Sequence, residues 1–163
     1  MDEVTVEQLN HKGSLEGIAK KTQNPITQLI LIYSAAIKLD SYDIEANFNI
    51  AGIYMLKGDE NNALKHFKKS IKKDEDVESN EIKTMYNMQF IKAYFNIGLI
   101  LDKQADFRTA LAYYHRAYDI TADKQSQLFL KVATNLAVCY EKNNQRDQSM
   151  KIFDQIQSIT GDK

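Results

Sequence analysis

The chain has 163 residues, 44% of them apolar, with 21 basic and 22 acidic side chains for a formal net charge of -1. That length holds one domain with a sizeable core, the apolar share excludes a disordered chain, and the even charge lacks the basic excess that nucleic acid binding uses. One proline and six glycines leave so little punctuation that helices joined by tight turns are expected, and strands are not.

In chain order, helical spacing predicts eight helices near 3–21, 25–39, 43–57, 60–73, 79–104, 107–121, 126–143 and 146–159. Every second helix carries an aromatic in one local frame: Tyr33, Phe67, Tyr114 and Phe153, spaced by 34, 47 and 39 residues. Four residues before each stands Leu29, Ala63, Ala110 or Ser149, and three after each Ala36, Ser70, Ala117 or Ile156. In the preceding helix the frame holds Gly17, Ala51, Gly98 and Ala137. Small residues let two antiparallel helices approach, and the aromatic fills the hole beside the contact. The turns between paired helices read Lys57-Gly58-Asp59, Gln104-Ala105-Asp106 and Asn143-Asn144-Gln145, with Asp59 and Asp106 as N-caps.

Two features interrupt the regularity. Thirteen extra residues separate the second and third copies; they read as an acidic turn over 74–78 followed by an extended helix from Ser79. Either that helix is simply long, or Met85, Tyr86 and Met88 form an additional contact surface. The last helix keeps Ile152, Phe153, Ile156 and Ile159, so its open edge suggests a longer protein or packing on another subunit.

The segments Asn49-Ile50-Ala51-Gly52-Ile53-Tyr54 with Gly58-Asp59, Ala63-Leu64 and Phe67, then Tyr94-Phe95-Asn96-Ile97-Gly98 with Asp106-Phe107, Ala110-Leu111, Tyr114 and Ala117, resemble the tetratricopeptide repeat. Asn135-Leu136-Ala137 with Tyr140 and Phe153 is similar. The resemblance spans about residues 43–160. It implies an all-α single domain over 1–163, a right-handed superhelix of antiparallel helical hairpins with about four units. The units are a degenerate first at 1–40, a second at 43–74, a third at 79–121 with an extended first helix, and a fourth at 126–160. In the first, Lys20 stands for the expected aromatic and Glu16 for an aliphatic, so that helix docks differently or frays.

Stacked hairpins curve around a concave groove lined by the first helix of each pair. Asn49, Asn96 and Asn135 recur at one position of that lining, where asparagine is a poor helix former. Three amides in register suit a ligand's main chain, and the resemblance implies that asparagines here grip bound peptides; the alternative is interhelical bonding. Around them the groove is expected to offer Phe48, Met55, Leu56, Phe95, Leu99 and Val138. Lys92 and Lys131 stand one turn before Asn96 and Asn135, either to meet a carboxylate or merely solvated. Asn49, Asn96 and Lys92 make only part of the family's two-carboxylate clamp, which is therefore not expected. The lysine run over 65–73 reads as a solvated outer face, compensated by acidic residues within 74–81.

Little supports catalysis. His11, His66 and His115 fall in separate helices without metal-ligand spacing, and no phosphate loop or nucleophile motif occurs. Cys139 reads as a small buried hydrophobe; one cysteine excludes an internal disulfide and fits a reducing compartment. Leu29 to Ile37 is about half the apolar length a bilayer span requires, and the acidic start lacks a signal-peptide layout. The expectation is a cytoplasmic, non-enzymatic scaffold or adaptor without cofactor or metal, binding a protein or peptide partner in the groove. It excludes nucleic acid and a membrane span. The alternative is a structural subunit of a larger assembly or oligomer, using the insert at 74–90 and the C-terminal edge, with a small secretion-type chaperone as a subcase.

Overall fold

The computed structural model describes residues 24–76 and 80–161, so the predicted helix at 3–21, with Glu16, Gly17 and Lys20, lies outside the described residues. Among those described, secondary structure is entirely helical: α1 (Pro25–Leu39), α2 (Ile44–Leu56), α3 (Glu60–Ser70), α4 (Lys72–Asp76), α5 (Asn80–Met85), α6 (Asn87–Lys103), α7 (Phe107–Ile120), α8 (Gln127–Lys142) and α9 (Arg146–Thr160). They belong to two compact units that divide between Ser70 and Ile71.

In the first unit, α1 opens on Asn24, whose side chain accepts from the Ile26 N–H, with Pro25 supplying the preset φ of the first helical position. Asp43 caps α2 in the same way, accepting from Ala46 N–H at 2.8 Å. The helices α2 and α3 pair as a hairpin in which Ala51 and Ala63 are fully enclosed and Phe67 is the buried plug. Phe48 meets the Phe67 ring edge-on at 5.7 Å. Asn47, also fully buried, donates through Nδ2 to the Ser41 and Asp43 carbonyls, which leaves its Oδ1 to accept from His66 Nδ1 at 2.9 Å.

The second unit holds the hairpins α6–α7 and α8–α9, with α7 packed on α8. Ala110, Ala137 and Ser149 are fully enclosed, and so is Tyr114. Phe153 is 37% exposed on α9, unlike its frame equivalents Phe67 and Tyr114. Cys139 is buried as expected; burial first, then the nearby Asp102 carboxylate, pushes its thiol up to about 11.

Gly58, Ala105 and Asn144 share one turn geometry, each left-handed, with φ of 75°, 61° and 59°. In all three the next residue's N–H returns to a carbonyl five positions back, as Asp59 does to Tyr54, Asp106 to Leu101 and Gln145 to Tyr140, each at 2.9 Å. Asp59 and Asp106 then cap the following helix through Asn62 N–H and Thr109 N–H, whereas Gln145 makes no side-chain cap.

The insert differs from its expected form. The acidic turn is helical as far as Asp76, and Asp74 is buried because Tyr94 and Arg116 satisfy its carboxylate. The long helix expected over 79–104 is interrupted at Tyr86, whose φ of -105° and ψ of 15° depart from helical values and separate α5 from α6.

Candidate partner-binding face

The two first-of-pair helices of the second unit, α6 and α8, are joined at two places. Lys131 Nζ lies 5.4 Å from the centre of the Phe95 ring, and Lys142 Nζ contacts the Asp102 carboxylate at 2.8 and 3.0 Å. The contacts fall in the same order along both helices, so α6 and α8 run side by side in one direction. Within this stretch lie Asn96 and Leu99 on α6 and Asn135 and Val138 on α8, all half-buried. The spacing of three residues keeps each amide and its aliphatic partner on one helix face. Lys92 and Lys131 are exposed one turn before the amides.

The two amides are not equivalent. Asn135 donates through Nδ2 to the Lys131 carbonyl of its own helix at 2.8 Å, whereas the Asn96 side chain hydrogen-bonds to no described residue. Phe95, expected as groove lining, is 4% exposed and packs against Tyr114 with ring centres 5.9 Å apart. One residue is about 100° of helix rotation, so a frame that turns Asn96 outward turns Phe95 into the core. Its remaining surface is met by Lys131, an ammonium over an aromatic face.

In the first unit, Asn49 is half-buried on α2 and its side chain hydrogen-bonds to no described residue. Phe48 and Met55 are half-buried, and Leu56 is largely exposed. Exposed Glu45 stands four residues before Asn49, so the charge that α6 and α8 present there is reversed.

Two lysines escaped the sequence reading, although their spacing carried the signal. Each of α6 and α8 has lysine, asparagine, an aliphatic and lysine again at one periodicity: Lys92, Asn96, Leu99 and Lys103, then Lys131, Asn135, Val138 and Lys142. The arrangement offers amide donors and acceptors, an apolar strip and the exposed Lys92 and Lys131 ammonium groups to an extended guest. Among the described residues, no three His, Cys, Asp or Glu side chains gather as metal ligands, and no helix is long and apolar enough to cross a membrane.

Family models of the tetratricopeptide repeat match residues 44–76, 93–128 and 134–159. Two crystal structures of MamA are similar to the chain. One has 20% identity over 88% of this chain and 87% of its own, with a TM-score of 0.41. The other has 18% identity over 90% and 94%, with a TM-score of 0.39. Among curated proteins no significant match is found.

Proposed function

Because the chain belongs to the tetratricopeptide repeat family, a family of protein-interaction repeats, we propose that it is a scaffold that holds a segment of a partner protein on the α6–α8 face. The observation that carries this reading is the pair of half-buried amides, Asn96 and Asn135, each beside an aliphatic and one turn after an exposed lysine. The half-buried Asn96 side chain has no described partner, so its amide is open to a guest's main chain. The guest has an apolar side chain for Leu99 and Val138 and a carboxylate within reach of Lys92 or Lys131. In the first unit taken by itself, Asn49, Phe48 and Met55 on α2 offer an amide and apolar contact.

The test is affinity capture with the full chain and with its Asn96→Ala/Asn135→Ala variant, read by mass spectrometry. Proteins retained by the native chain and lost from the variant, at equal helical circular dichroism, support the reading; identical retention overturns it. A structural-subunit role is favoured by Met150 and Phe153, 56% and 37% exposed on α9. A strictly monomeric chain across the accessible concentration range in light scattering would count against self-assembly through that helix.

A further inference from the structure

A second group of polar side chains gathers where α4 and α5 border the hairpin α6–α7. It lines a solvent-open pocket of about 580 Å³ and shares no residue with the α6–α8 face. At its base Asp74 is 4% exposed, and its Oδ2 accepts both the Tyr94 hydroxyl at 2.7 Å and Arg116 Nη2 at 2.9 Å. A carboxylate taken this far from water needs both partners, and in return it fixes the Arg116 guanidinium. That group also lies over the Tyr94 ring at 5.8 Å, yet the Arg116 side chain remains 45% exposed.

Arg116 therefore presents a held fork, tied to the Asp74 carboxylate through Nη2 and also engaged with Tyr94, whose outer edge stays open to solvent. A rigid guanidinium with a solvent-exposed edge is the group that matches a planar, two-oxygen anion. Tyr113 lies three residues earlier on the same face of α7, half-buried, with its ring 6.2 Å from that of Tyr94. Burial first, then the Glu75 carboxylate, pushes the Tyr113 phenol above its ordinary value, so it stays a proton donor. Lys83 of α5 adds a second cation to the lining, and Glu75, exposed on α4, adds an anion.

We propose that this pocket is a second binding site, which takes a carboxylate side chain of a partner polypeptide between Arg116, Lys83 and Tyr113. Three donors then converge on the guest, and Glu75 acts as a like charge at the rim that weakens and tunes the site. A cationic guest would need Glu75 instead, so the sign of the Glu75→Gln effect decides between the two.

The experiment follows the Arg116 Nε–H and the backbone amides of α7 by nuclear magnetic resonance while succinate is added to the full chain, with succinamide as the uncharged control. Saturable shifts with succinate and none with succinamide are expected. Glu75→Gln should tighten binding about two- to fivefold, since it removes one like charge near the surface. Lys83→Gln should weaken it by a similar factor, and Arg116→Lys, which keeps the charge and loses the fork, by more. The Lys83 side chain bonds to no described residue, so its variant leaves the fold intact if Arg116→Lys disturbs it. The Asn96→Ala/Asn135→Ala chain should bind succinate unchanged, which separates this site from the α6–α8 face. Absent saturation, weaker binding by Glu75→Gln, or tighter binding of inorganic phosphate than of succinate would each overturn the proposal.

Discussion

The ring of Tyr114 fills the space that any side chain at Gly98 would need: a Cβ there would come within 2.6 Å of both Cδ1 and Cε1. Helix propensity alone favours alanine over glycine by about 0.5–1 kcal/mol in a helix interior. Steric conflict with a fully buried ring outweighs that gain. Gly98→Ala is expected to destabilise the chain by about 1–3 kcal/mol, read from urea denaturation. In a Tyr114→Leu background the same substitution should cost less, because the two positions compete for one volume.

Ala105 holds a left-handed conformation that its equivalent Gly58 adopts without strain. An L-residue there costs roughly 1–2 kcal/mol, and the unfolded-chain freedom that glycine would add offsets part of the gain from removing that cost. Ala105→Gly should therefore raise stability by about 0.5 kcal/mol, and Gly58→Ala should lower it by about 1 kcal/mol. Opposite shifts of the denaturation midpoint from two substitutions at one frame position are the signature to look for.

His66 gives the first unit an acid sensitivity with a defined sign. Burial first, then Lys69 and Lys65, lowers its pKa below the ordinary 6.5, while Asn47 Oδ1 at 2.9 Å and the Tyr54 ring at 5.6 Å face it from α2. The folded state thus binds the proton more weakly than the unfolded chain. The contribution is fully present above the unfolded value near 6.5 and is lost as pH falls through the lower folded value. Between neutral pH and about pH 5, thermal stability should fall, and His66→Gln should flatten that fall.

The two asparagines of the proposed face should differ when replaced singly. The Asn135 amide group already donates to Lys131 O, whereas the Asn96 side chain bonds to no described residue. Asn96→Ala is expected to cost a bound partner segment about 1–2 kcal/mol, and Asn135→Ala less, by titration calorimetry with the captured partner. Equal losses would mean that the Asn135 side chain leaves its own helix to bind.

Where local spacing decides an outcome, the sequence was readable. Ala63, Gly98 and Tyr114 belong to a repeated frame, and Asp59 and Asp106 stand where a helix start needs an acceptor. Phe95 escaped because it neighbours Asn96, and one step of helix rotation separates groove from core. Asn47 escaped for a related reason. It sits two residues from Asn49, but only the structure reveals that its amide closes a buried network with His66. Asp74 and Arg116 carry no local signal at all. They are 42 residues apart, and an aspartate inside an acidic run looks solvated until Tyr94 and Arg116 are seen to enclose it.

Cys139, the chain's single thiol, is wholly enclosed on α8, and its sulfur lies 3.6 Å from the Phe107 carbonyl. An alkylating reagent can reach it only while α8 parts from its neighbours. The rate of labelling in native buffer is therefore a clock for that opening, installed by the fold and requiring no engineered tag.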